Sequence, residues 1–344
     1  MYQRKSRRCC ALMLLVSICL RVCMFLGLDV KAASLLVNAA GSTELARVLL
    51  YLETGQAAPI EVPEETAEPV ILRMESPQPK PEAVEMQVIR MEEPQLPDQP
   101  AGAQSMTVAG SCSYPYDKAA LLAKPSSLDF SADGPTVLIV HTHGSEAYTP
   151  EAGWEYTPAA AYRTLEADRS VIAVGDVLAE TLERYGIDVL HDRTLNDYPS
   201  YPDSYWTCLT KIEDWLQHYP SIQMVIDLHR DAVEDTRGHA VALSSTQEGQ
   251  SAAQLMLVVG TDEGGLEHPN WQQNLSTGLK LQALLERDFP GLCRNLNLRQ
   301  ERFNQNQTPC SLLIEFGTDG NTLSQALRSA DALGNALSQL ILAA

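Results

Sequence analysis

Val137-Leu138-Ile139-Val140-His141-Thr142-His143-Gly144-Ser145-Glu146 is the stretch on which the fold turns. Four consecutive apolar residues read as a buried strand, and the polar run HTHGSE begins where that strand ends. Downstream, Val171 to Tyr185 carries Val171, Val174, Leu178, Leu182 and Tyr185 on one helical face, and Gly186 ends it. Ile187 to Leu190 reads as the next strand and Trp206 to Tyr219 as a second helix. Met224 to Leu228 and Leu255 to Val259 read as further strands, and Trp271 to Phe289 as a long helix. Ser311 to Ile314 reads as a strand and Asn321 to Leu342 as a closing amphipathic helix. Short apolar runs alternating with helical patterns predict an α/β domain over 125–344, with a mostly parallel central sheet flanked by helices. No internal repeat is present.

Three of the strands run into residues capable of chemistry: TVLIV into His141, His143 and Glu146, MVIDL into His229, Arg230 and Asp231, and SLLI into Glu315. In an open α/β sheet the ligand crevice lies beyond the carboxyl ends of the strands, so these three motifs are expected to converge. Two imidazoles and a carboxylate with one open position form a recurrent catalytic zinc set. His143 and His229 are the imidazole pair. Glu146, in an H-x-x-E spacing, is the favoured carboxylate ligand, with Glu166 before the first helix as the alternative. Glu315, in an otherwise apolar strand, is the candidate general base. Arg230 suits an oxyanion or substrate-carboxylate contact, and Asp231 suits an outer acceptor that fixes the His229 tautomer.

Upstream, the composition changes. The start MYQRKSRR carries Arg4, Lys5, Arg7 and Arg8 and precedes an apolar run, Cys10 to Leu28, whose only charge is Arg21. That is the form of a signal-anchor or a cleaved signal, with Val30-Lys31-Ala32 as a cleavage candidate. Both readings put the remainder outside the cytoplasm. We therefore expect a basic stub and single-pass membrane segment over 1–32, a juxtamembrane helix over 33–55, and a disordered Pro/Glu-rich linker over 56–110.

The 344 residues carry 25 Lys+Arg against 44 Asp+Glu, a net charge of −19, which argues against a nucleic-acid surface. None of the eight cysteines forms a C-x-x-C pair, which argues against a zinc ribbon and leaves either free thiols or disulfides on an outer membrane face.

Read together, HTHGSEAY, the VGD of the first helix, DLHRDA, HPNW, FPGL-x-R, FNQ and LLIEFG resemble, in order, the stage II sporulation protein P family over roughly 136–342. The joint presence of HTH-x-S-E and D-L-H-R-D is the specific part. The resemblance implies a relationship to the zinc-dependent N-acetylmuramoyl-L-alanine amidases, with His143 and His229 as zinc ligands and Glu315 catalytic. It implies cleavage of the muramic acid to L-alanine amide of peptidoglycan, together with endopeptidase action on cross-links, during forespore engulfment. It also implies a lytic transglycosylase partner, stage II sporulation protein D, and a membrane protein, stage II sporulation protein M. His141, Asn270, Asn304 and Gln305, in the family's motifs, are expected to meet substrate. The sequence departs from the wider amidase pattern in lacking a D-P-G-H-G-G turn, and Glu166 matches the helix-borne ligand only loosely. A carboxypeptidase-like metallopeptidase using Arg230 as its clamp, and a non-catalytic wall-binding scaffold, are the alternative readings.

Overall fold

The computed structural model describes residues 106–126 and 128–344; the expected membrane segment, juxtamembrane helix and most of the linker lie outside the described residues. Among the described residues no helix is long and apolar enough to cross a membrane.

The core is one seven-stranded sheet. In chain order its strands are β1 (Val108–Gly110), β2 (Val137–Val140), β5 (Val189–His191), β6 (Met224–Asp231), β9 (Leu255–Gly260), β10 (Leu296–Arg299) and β11 (Cys310–Thr318). Their spatial order is β1-β10-β9-β11-β6-β2-β5. Every pairing is parallel except that of β9 with β11, so the sheet consists of two parallel blocks joined at one antiparallel seam. Two hairpins stand apart from it: β3 (Pro158–Ala160) with β4 (Arg163–Thr164), and β7 (Ser244–Gln247) with β8 (Gln250–Ala253).

Side chains alternate across a strand, and this alternation sorts the two faces. Ile139, Ile226, Leu228, Leu257, Leu312 and Ile314 point into the larger core. That face is covered by α2 (Val171–Arg184), α4 (Trp271–Asp288) and α5 (Leu323–Leu342), while the short α1 (Lys118–Ala123) packs on α4. Among the described residues the opposite face carries one helix, α3 (Ser204–His218), whose Cys208 and Ile212 bury against Leu138, Val140 and Val225. Beyond α3, Met256, Val258 and Leu313 of β9 and β11 form a smaller buried cluster on the same face, with Phe303 of a loop packed against it.

The strands differ from the expected bounds for physical reasons. Ile187 is not in a strand: its N–H bonds Leu182 O at 3.2 Å and that of Gly186 bonds Glu183 O at 2.9 Å. With Gly186 at φ 76°, this is the glycine-ended helix cap that turns the chain before β5 begins at Val189. β6 and β11 run on past their apolar cores because their ladder continues through Glu315 opposite His229, so both residues lie within strands and not after them. The described fold begins upstream of residue 125: Val108–Gly110 adds an edge strand to β10, within the stretch expected as linker. The β7/β8 hairpin is polar and has no hydrophobic alternation to betray it. Its turn is Glu248-Gly249, both at positive φ, as a two-residue hairpin requires. Cys112, Cys208, Cys293 and Cys310 are free thiols.

Candidate active site

On β6 the side chains of Asp227, His229 and Asp231 share a face by alternation, the face on which α3 packs. Across the ladder, Glu315 of β11 pairs with His229 on one side and with Met256 of β9 on the other, so His229, Glu315 and Met256 form one row across adjacent strands. The chain leaving β2 brings His143 over this row. Its ring lies 5.3 Å from that of His229 at 89°. Tyr201 stacks on His143 at 4.5 Å, and Tyr205, at the start of α3, meets it edge-on at 5.5 Å. A turn in which Glu146 N donates to His143 O at 3.0 Å folds Glu146 back. Its Oε2 then lies 3.6 Å from His229 Nδ1 and accepts from Arg230 N at 3.0 Å.

Asp227 anchors the arrangement. It accepts from Thr142 N at 2.8 Å and Thr142 Oγ1 at 2.6 Å, tying the HTH segment to β6. Its Oδ1 also lies 3.0 Å from His229 Nε2, in an ion-pair contact that is off the line of an aligned hydrogen bond.

Burial sets the electrostatics, and neighbours modify it. Loss of solvent, with the nearby His229 charge, drives His143 down to about 3, so it stands as a neutral imidazole. His229 is also desolvated, but Asp227, Glu146 and Glu315 outweigh burial and lift it to about 10. Burial raises Glu146 against the pull of His229 and Arg230. Burial pushes Glu315 up to about 8, and Glu146 and Asp231 push in the same direction. A carboxyl held near neutrality can both take and return a proton.

No group of three His, Cys, Asp or Glu side chains among the described residues stands at metal-ligand spacing. The donors nevertheless fit zinc in kind and neighbourhood. His143 Nδ1 is buried without a hydrogen-bond partner, an expensive state for a polar atom with nothing to bind, while His229 turns Nε2 to Asp227 and Nδ1 to Glu146. Two ligands on a tetrahedral zinc at about 2.0–2.1 Å would lie roughly 3.3–3.5 Å apart, close to the observed separation of Glu146 and His229. His143, Glu146 and His229 are the residues that would hold such an ion.

The other expected site residues make the following contacts. Arg230 spends its guanidinium on backbone carbonyls: Nε donates to Ala147 O at 3.0 Å and Nη2 to Tyr162 O at 2.9 Å. It therefore braces the loop after His143 and has little left for substrate. Asp231 pairs with Arg294 at 2.7 Å, and Asp227 takes the place beside His229 expected of Asp231. His141 is fully buried, its Nε2 2.8 Å from His191 Nε2, and cannot meet substrate. Glu166 is exposed and accepts from Thr157 N at 2.7 Å, on the far side of the β3/β4 hairpin loop, with no contact to either histidine. Gln305 is a staple, accepting from Gly260 N at 2.7 Å and donating to Val258 O at 2.8 Å. Asn304 donates to Tyr205 O at 2.9 Å and Asn270 to Thr308 O at 3.2 Å, so both tie loops together.

Sequence reasoning missed Asp227, Tyr201, Tyr205 and Arg163. Asp227 carried a signal, a carboxylate two residues before His229 in an apolar strand. Arg163 carried none: it lies over Tyr201 at 4.4 Å and pairs with Asp197 at 2.7 Å, contacts made only by folding.

A family model described as stage II sporulation protein P matches residues 47–338. The curated stage II sporulation protein P of Bacillus subtilis (strain 168) is 29% identical over 223 residues, which are 61% of this chain and 52% of that protein. The chain thus matches about half the length of that relative. Solved structures with some likeness include the N-acetylmuramoyl-L-alanine amidase AmiC2 of Nostoc punctiforme, at 14% identity and TM-score 0.36 over 61% of this chain and 97% of that one. The CwlD amidase from Clostridioides difficile, in complex with the GerS lipoprotein, is similar at 15% identity and TM-score 0.35, over 60% and 95%.

Proposed function

The chain belongs to the stage II sporulation protein P family, and from that premise we propose that it is a peptidoglycan hydrolase of sporulation that cleaves amide bonds, chiefly between N-acetylmuramic acid and L-alanine. The observation that carries this reading is Glu315: a half-buried carboxyl whose Oε2 is buried and unpartnered, beside His229 and within the field of Glu146, pushed up to about 8 by desolvation. Hydrolysis of an amide needs a group that removes a proton from the attacking water and delivers it to the departing nitrogen, and a carboxyl poised near neutrality suits both steps.

His143, Glu146 and His229 would hold a zinc ion, which when bound polarises carbonyls and makes water a better nucleophile near neutral pH. Asp227 holds the His229 ring from outside, as outer-shell carboxylates do for metal-binding histidines. Tyr201 and Tyr205 wall off one side of His143 and restrict water around it. Endopeptidase action on cross-links, zinc dependence, a single-pass membrane tether and the two sporulation partners complete the proposal.

The test is hydrolysis of purified peptidoglycan by the full chain, with products separated and identified. Release of intact stem peptides beginning at L-alanine, abolished by chelator and restored by zinc, is the expected result. A chain that releases nothing under these conditions, with or without zinc, would remove the hydrolase reading in favour of a binding scaffold.

A further inference from the structure

The site has three guanidinium groups nearby, and two are committed. Arg230 is bound to the carbonyls of Ala147 and Tyr162, and Arg163 to Asp197 and Ser145. The third, Arg294, differs. Leu255 N donates to Leu292 O at 2.9 Å and Arg294 N to Leu255 O at 2.7 Å, pinning the 289–294 segment beside the first residue of β9. Because β9 runs antiparallel to β11, that residue lies at the carboxyl end of β11 and β6, the end that carries Glu315 and His229. From there Arg294 Nη1 donates to Asp231 Oδ2 at 2.7 Å, and Asp231 stands two residues beyond His229 on the same face of β6.

Both side chains of this pair are about a quarter exposed, so the contact sits at the rim and not in the core. Among the described residues, Arg294 Nε and Nη2 have no protein partner. Asp231 therefore occupies one donor of the fork and leaves the rest of a planar, oriented guanidinium free at the edge of the site. A guanidinium of this kind is matched to a second carboxylate, which it grips through two parallel N–H groups. The need for such a group is real in this chain: with 44 acidic against 25 basic residues, the protein as a whole repels an acidic peptide.

We infer that Arg294, held in place by Asp231, is the carboxylate-recognition residue of this site, selecting peptide stems that carry free carboxylates close to the bond to be cut. The inference rests on the proposed action on peptidoglycan stems, and names the feature of the stem that is read. It transfers to Arg294 the contact that the sequence pattern suggested for Arg230.

Binding separates this inference from catalysis. The probes are an N-acetylmuramoyl-L-alanyl peptide with free side carboxylates and the same peptide with those carboxylates amidated, titrated calorimetrically into full-length Glu315→Gln. The free acid should bind about tenfold tighter than the amide, the scale of a hydrogen-bonded charge pair. Adding Arg294→Gln should erase that preference by weakening the acid alone, and Arg294→Lys should restore part of it. The inference is overturned if the two peptides bind alike before Arg294 is changed, or if Arg294→Gln weakens both equally or neither. A Tm loss in Arg294→Gln with the preference intact would mark the Asp231 pair as a loop staple and likewise overturn it. Failure of the wild type to hydrolyse peptidoglycan, with the acid preference present, would count against the hydrolase reading alone.

Discussion

His229 and Asp227 lie on the same face of β6, two residues apart, with Nε2 3.0 Å from Oδ1, while the other Asp227 oxygen holds the hydroxyl of Thr142. One carboxylate thus fixes a histidine on β6 and the segment that delivers His143 from β2. Asp227→Asn keeps the shape but loses the charge that supports both. We expect zinc affinity to fall by about 10–100-fold, the usual scale for an outer-shell partner, with the far-ultraviolet dichroism unchanged. Unaltered affinity in a competition titration with a chelating dye would mean that Asp227 does not support the metal ligands.

Glu315→Gln removes a proton carrier without removing a ligand. The variant should retain the zinc stoichiometry of the wild type while peptidoglycan hydrolysis falls by about 10²–10⁴-fold, the range for a positioned acid-base group. Metal content by mass spectrometry and product release by chromatography test the two halves separately. Loss of zinc together with activity would instead make Glu315 a ligand.

The raised carboxyl of Glu315 has a thermodynamic consequence in metal-free protein. Its folded value of about 8 lies above the ordinary 4.5, so the folded state holds this proton more tightly than the unfolded chain. The associated stability is fully present below the ordinary value and is lost as pH rises through about 8. His143, depressed to about 3, acts in the opposite sense, its contribution being lost as pH falls below the ordinary 6.5. His229, lifted to about 10, acts in the same sense as Glu315 across this window, so between pH 6.5 and 8 chelator-treated wild type should lose Tm with rising pH, and Glu315→Gln should lose less. Parallel curves for the two proteins would contradict the burial of an ionisable Glu315.

Arg230→Lys tests whether that residue is a brace. A lysine cannot reach both Ala147 O and Tyr162 O in the arginine's fork geometry; Tyr162 O also accepts from Ala147 N, so Ala147 O is the acceptor that stands to lose its partner. A destabilisation of about 2 kcal/mol is expected from an orphaned buried acceptor. Chemical denaturation measures it. A large fall in kcat at unchanged stability would return Arg230 to a role at the reacting atoms.

Gly175 lies in α2 where a Cβ would meet His191 Nε2 at 2.5 Å and His141 Nε2 at 2.8 Å. Helix propensity favours alanine by about 1 kcal/mol, but neither ring can retreat, since His141 is fully buried and linked to His191. Overpacking of this kind costs about 1–3 kcal/mol, so Gly175→Ala should be no more stable than wild type and is expected to be less so. A raised Tm would show that the histidine pair can move.

Apolar runs of four or five residues marked β2, β6, β9 and β11, because burying such a run from both sides is what a central strand does, and the helices between them were marked by their one-sided periodicity. The convergence of His143, His229 and Glu315 followed from strand direction alone, since side chains at the carboxyl ends of neighbouring parallel strands must meet. The partners of those residues were a different matter. Asp227 and Asp231 flank His229 at equal spacing on one face, so their order along the chain could not tell which one supports the histidine; Thr142 on β2 and Arg294 beside β9 made that choice. Arg230 read as a free cation until the loop carrying Ala147 and Tyr162 folded over it. Charged and polar side chains are assigned by what comes within about 3 Å of them. For Asp227, Asp231 and Arg230 the deciding neighbours, Thr142, Arg294, Ala147 and Tyr162, lie 63 to 85 residues away in sequence, brought there by the fold.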